Sequence, residues 1–76
     1  MLDNLILCRK KYKIQQSEIA EVINKTNKTV SLKENGKIPI TRDEMIKITA
    51  HIKKKYNPNI TVEDIFFKNN TTESVV

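Results

Sequence analysis

The chain has 76 residues, a formal net charge of +5 and a hydrophobic content of 38%, which suits one small domain with a modest core and leaves no room for a second. No apolar run approaches the ~20 residues of a membrane span and the N-terminus lacks the apolar stretch of a signal peptide, so a soluble, cytoplasmic protein is expected. With one cysteine, one histidine and one glycine the sequence has no intramolecular disulfide, no zinc framework and no Gly-rich phosphate loop.

Residues 2–12 read as a first helix, with Leu5, Cys8 and Tyr12, helped by Leu2 and Ile6, on one stripe. Arg9, Lys10 and Lys11 fall in its last turns, where positive charge suits the helix dipole. Lys13 is a turn residue and Ile14 returns to the core. Ile19, Ala20 and Ile23 then share one face of a helix from about Gln16 to Ile23, and Asn24, which readily takes a left-handed conformation, ends it. The third helix starts with Thr26 or Asn27 as its cap and stops at Gly36. Its only apolar residues, Val30 and Leu32, lie two apart, so no more than one of them is fully inside. Asn27, Lys28, Thr29, Ser31 and Lys33 are expected to face water.

Lys37-Ile38-Pro39-Ile40 is an extended loop, because proline removes a donor and disfavours helix at the residue before it. Thr41 and Glu44 have the capping-box spacing and open a fourth helix with Met45, Ile48 and Ile52 on one face, ending near Lys55 or Tyr56. After the breaker Asn57-Pro58-Asn59, Thr61 and Asp64 form a second box and start a short fifth helix with Ile65 and Phe66. Residues 69–76 are polar and expected to be a disordered tail.

The charge is unevenly placed. The segment 25–42 carries Lys25, Lys28, Lys33, Lys37 and Arg42 against Glu34 alone, while residues 43–76 cancel and residues 1–24 are nearly balanced. This is where a polyanion would be attracted, the alternative being a solvated lysine face. Catalysis has little to draw on. His51 has no Ser, Cys or carboxylate placed by sequence to form a catalytic set and reads as a surface residue, and Cys8 lies on the buried stripe of the first helix. No enzyme, metal or cofactor is indicated.

Gln16, Ala20, Ile23, the polar start Asn27-Lys28-Thr29, Val30 and the ending Glu34-Asn35-Gly36, in that order, resemble the Cro/repressor-type helix-turn-helix family of bacterial and phage transcriptional regulators. The likeness runs from about Leu5 to Phe67. It implies an all-α, lambda-repressor-like bundle of about five short helices over residues 1–68, with Ala20 small where two helices cross and Val30 facing the first helix of the motif. Arg9 falls where the family often has an arginine that pairs with the Glu34 position. If that pair is partly buried, losing one partner costs ~3 kcal/mol by stranding the other. Lys25 and Lys33 stand where the family usually has apolar residues.

The resemblance further implies double-stranded DNA as partner, with the third helix in the major groove and the start of the second on the backbone. Asn27, Lys28, Thr29 and Leu32 become the base-edge candidates. Gln16, Ser31, Lys33, Asn35, Lys37 and Arg42 become the phosphate candidates. For Asn27 a plain helix cap is the competing role, and for Leu32 core or partner packing. A module of this size buries only ~600–1,000 Å² on DNA, so a homodimer on a two-fold operator is expected, with Ile65, Phe66 and Phe67 as dimer residues. The other reading is a modulator or antirepressor of this fold that binds a second regulatory protein, motivated by Lys25 and Lys33; an antitoxin role is a third.

Overall fold

The computed structural model describes residues 2–67, and the expected polar tail lies outside them. The chain forms α1 (Asp3–Tyr12), α2 (Gln16–Ile23), α3 (Asn27–Glu34), α4 (Arg42–Lys55) and α5 (Glu63–Phe67), the last a π-type turn. No strand occurs among the described residues, so the all-α bundle expected from the sequence is the observed fold.

Three of the helix ends close by the same backbone device. Lys13, Asn24 and Gly36 adopt left-handed conformations, with φ of 59°, 58° and 78°. In each case the next residue's N–H returns to the carbonyl five positions back: Ile14 to Arg9 (2.8 Å), Lys25 to Ala20 (2.9 Å) and Lys37 to Leu32 (2.9 Å). These bonds satisfy carbonyls that a helix end otherwise leaves without partners, and they turn the chain within a single residue. That economy is what allows three helices to fit into the first 34 residues. Helix starts are equally explicit. Thr41 and Glu44 make a complete capping box on α4, and Thr61 and Asp64 make the reciprocal pair before α5.

The core joins Leu5 and Cys8 of α1 to Ile14, to Ile19, Ala20 and Ile23 of α2, and to Val30 of α3. Ile48 and Ile52 of α4, Ile60 and Ile65 complete it. Helix α2 is central. It packs on both α3 and α4, while α5 closes over α1 and α1 also meets α3. Ala20, 4% exposed, sits on that crowded helix, where a larger side chain would force α3 outward. The N-terminus is tied in as well, since the Leu2 N–H donates to the Glu34 carbonyl at the end of α3 (2.8 Å).

Two expectations change on α4 and α5. Met45 is only half-buried; the inner face of α4 is made by Ile48, Ile52 and the Glu44 side chain. Ile65 is fully buried and so is not free to make the dimer contact expected of it; Phe66 packs half-buried against the core and Phe67 remains exposed. No helix among the described residues is long and apolar enough to cross a membrane.

Lys13 carries a Cβ in a conformation that favours glycine. Lys13→Gly should raise stability by about 0.5–1 kcal/mol, the relief of left-handed strain offset in part by the greater freedom of unfolded glycine. A higher urea midpoint at unchanged slope would bear this out; a lower one would refute it.

Candidate nucleic-acid interface

Helix α3 is fixed at its C-terminal end by a buried charge cluster. The Arg9 guanidinium clasps Glu34 with two bonds, Nε to Oε2 (2.6 Å) and Nη2 to Oε1 (2.8 Å), and its Nη1 donates to the Ile14 carbonyl (3.1 Å). Gln16 Nε2 donates to Glu34 Oε1 (3.0 Å). One carboxylate therefore gathers the end of α1, the start of α2 and the end of α3, and no buried side-chain polar atom among the described residues lacks a partner. The Arg9–Glu34 pair implied by the family likeness is present, and Gln16 joins it. Gln16 has one remaining amide hydrogen for any other acceptor.

The opposite end of α3 is set by Thr26, which is the cap: its Oγ1 accepts from the Thr29 N–H (3.2 Å). This resolves the choice between Thr26 and Asn27. Asn27 and Lys28 are exposed on the first turn with the cap duty carried by the residue before them. Thr29 is half-buried, and its hydroxyl accepts from the Thr26 hydroxyl (3.1 Å). Val30 is the inward apolar residue of the helix, at 2% exposed, while Leu32 is half-buried and outside the core cluster. Ser31 is half-buried, and Asn35 and Lys37 are exposed beyond the helix end.

Lys33 is a correction. It was expected to face water and reach phosphate, yet it is 8% exposed and its Nζ donates to Glu44 Oε1 (2.9 Å) and to the Pro39 carbonyl (2.8 Å). The ammonium group satisfies itself inside the protein because Glu44, on the next helix, is turned inward with it. Burial raises the Glu44 pKa, but the Thr41 amide and the Lys33 ammonium outweigh burial and hold it below the ordinary value. Arg42 is exposed at the start of α4, where it borders an apolar groove with Met45, Ile46, Val62 and Phe67.

Two cations escaped the sequence reading. Lys10 and Lys13 line an open groove with Arg9, Gln15, Gln16, Ser17 and Asn27, which places them beside the start of α2 and the first turn of α3. The sequence presented Lys10 only as a helix-dipole residue; the signal that finds it is the tight α1–α2 turn, which folds the end of one helix onto the start of the next. His51 also differs from its expected isolation. Its Nε2 lies 2.6 Å from Glu18 Oε2, and the Tyr56 hydroxyl donates to the same carboxylate (2.8 Å). These bonds pin α4 to α2. The His51 contact, opposed by burial and aided by Tyr56 and Lys55, holds the Glu18 pKa below its ordinary value.

A short helix crossing a second one across a three-residue turn, its outer face polar and its flanks basic, defines a helix-turn-helix. The family model described as Helix-turn-helix matches residues 5–57, more than half of the chain. The protein belongs to this Cro/repressor-type family and is a DNA-binding regulator of that general kind. No curated protein and no solved structure matches the chain.

Removing the Arg9 side chain should cost about 3–5 kcal/mol, because Glu34 and Gln16 would lose the charge that holds them, whereas a salt bridge at the surface would cost under ~1 kcal/mol. Chemical denaturation of Arg9→Ala measures the difference. The lowered pKa values of Glu18 and Glu44 set the direction of the acid response. Both groups bind protons more readily when unfolded, so the stability they contribute is complete above about pH 4.3, the ordinary glutamate value, and drains away as pH falls through their lower folded values. Glu18→Gln should flatten that decline in a pH series of urea midpoints, and an unchanged profile would exclude the linkage.

Proposed function

We propose that the protein is a sequence-specific regulator of the Cro/repressor kind that lays α3 in the major groove of double-stranded DNA. The observation that supports this best is the first turn of α3. Asn27 and Lys28 are exposed, relieved of capping by Thr26, and carried on a helix whose far end is held by Arg9 and Glu34. Exposed donors at the start of a helix fixed at both ends suit base-edge recognition: lysine toward guanine O6 and N7, asparagine toward adenine. Thr29 and Leu32 follow on the same helix as lesser contacts, Leu32 toward a thymine methyl.

Phosphate binding falls to groups on either side. Gln16, with Lys10 and Lys13 in the adjoining groove, serves one flank, and Asn35 and Lys37 serve the other, with Ser31 between them. Lys33 is excluded by its burial. Arg42 borders the α4–α5 groove, and it acts there on phosphate only where a second subunit leaves it free. A bacterial or phage regulator of this kind acts on DNA in the cytoplasm.

A homodimer on a two-fold site completes the reading. The groove formed by Met45, Ile46, Val62 and Phe67 is its contact, since Ile46 and Phe67 are 54% and 61% exposed. The modulator or antirepressor reading, and the antitoxin one, lose half of their motivation with Lys33, which offers no charge to a protein surface.

Binding to a selected duplex should weaken steeply with salt, by a slope near −0.9 for each phosphate contact in a plot of log affinity against log salt. Lys28→Ala should lower discrimination at one base pair by roughly 10-fold, within the ~1–3 kcal/mol of a good base contact, and Lys37→Ala should weaken all sequences alike. Selection from a random duplex pool, followed by titrations of both variants, tests this. Enrichment of no sequence would refute the proposal.

A further inference from the structure

The segment 37–41 between α3 and α4 carries Lys37, which with Asn35 makes the phosphate contacts proposed above for one flank of α3. Within it Ile40 packs half-buried against the core, which holds the end nearer α4. Helix α3 rests on α2 and α1 and α4 rests on α2, but α3 and α4 share no extended packed face. The rest of the segment is held by polar attachments, among them the Ile38 N–H to the Leu32 carbonyl (3.5 Å). At its start the Lys37 N–H returns to the Leu32 carbonyl (2.9 Å). At its end the Thr41 N–H donates to Glu44 Oε1 (3.0 Å) and the Thr41 hydroxyl accepts from the Glu44 N–H (3.1 Å). Between them Lys33 Nζ donates to the Pro39 carbonyl (2.8 Å) and to the same Glu44 Oε1 (2.9 Å).

Lys33 is thus the one side chain here that reaches from α3 to both the middle of the loop and the cap of α4. Its ammonium has three donors and no other way to be satisfied at 8% exposure, so a displaced loop would leave it buried without a carbonyl. Pro39 cannot donate to any backbone partner, which leaves its carbonyl as the handle by which the loop is gripped. The arrangement is shared: Glu44 Oε1 accepts both from the Thr41 N–H of the cap and from the Lys33 ammonium.

We infer that Lys33 is a positioning residue for DNA binding: it touches no phosphate, and it holds the 37–41 loop in the register that presents Lys37 to the backbone. This inference rests on the DNA reading above. It turns a lysine at a position the family usually fills with an apolar group into a device that couples the recognition helix to its flanking phosphate contact.

The test uses Lys33→Met together with Glu44→Gln. Methionine keeps the length of the buried stem, and glutamine keeps a capping-box acceptor without a stranded charge. In the free protein, amide exchange at Ile38, whose N–H bonds the Leu32 carbonyl, should quicken at least ~10-fold while the amides of α1 and α2 stay protected. Duplex affinity should fall roughly 10-fold, as expected for the loss of one charge-assisted contact, and the salt slope should shrink by ~0.9. Above all, Lys37→Ala should have almost no further effect in the double variant, although it weakens the wild type. Wild-type affinity and slope in the double variant, or an equal Lys37→Ala effect in both backgrounds, would overturn the inference while leaving the DNA reading intact. A wild-type chain that binds no duplex overturns the DNA reading and the inference with it.

Discussion

Glu34 is the residue on which the arrangement of the first three helices depends. A carboxylate at the end of a helix is poorly placed for the helix dipole, whose negative pole lies there. It is retained because Arg9 and Gln16 converge on it, and because Arg9 simultaneously covers the carbonyl of Ile14, which the α1–α2 turn would otherwise leave exposed. Two bonds in a planar fork resist rotation as well as separation, so the pair fixes the direction of α3 and not merely its distance from α1. The main-chain bond from Leu2 to the Glu34 carbonyl adds a second tether at the same place. With one end of α3 immobilised in this way, its first turn can be polar and exposed without fraying, since Thr26 closes the only loose end.

Helices this short would not persist alone, as nucleation is costly and eight residues form few bonds. Their stability is tertiary. Ile19, Ala20, Ile23 and Val30 are almost wholly removed from water, and the left-handed turns after α1 and α2 bring the first three helices together across connections of only three residues each. The same turns explain why the groove beside α2 and α3 is confined. They leave so little chain between helices that the end of α1 and the starts of α2 and α3 must open on one groove, where Arg9, Lys10, Lys13 and Asn27 meet.

Local rules were sufficient to read most of this from the sequence. The boundaries of α2, the left-handed Asn24, the Gly36 stop and both capping boxes follow from the chemistry of single residues and their nearest neighbours, and the structure has all of them. What local rules could not supply is where a side chain goes when its partner lies on another helix. Lys33 reads as wet by type and by its place on a polar helix, but Glu44 is turned inward and meets it. His51 reads as solitary because Glu18 lies 33 positions away in sequence, and Ile65 reads as available because a short terminal helix gives no periodicity to show which face is inside. Lys10 and Lys13 were missed for the same reason, as their neighbours in space belong to α2 and α3.

The two lysines that depart from the family pattern consequently have different physical meanings. Lys25 is exposed beyond the α2 turn, its N–H spent on Ala20 and its side chain free to add charge next to α3. Lys33 adds no surface charge at all. Five basic residues in the segment 25–42 gave that stretch most of the net charge of the sequence, yet one of the five is neutralised internally by a carboxylate from outside the segment. The positive field over α3 is therefore weaker than the sequence count implies, and part of it is restored by Lys10 and Lys13 from the other flank. A polyanion would meet two basic edges on either side of the polar first turn of α3, which carries Lys28. That distribution matches two phosphate strands bordering a groove better than it matches one continuous acidic protein surface.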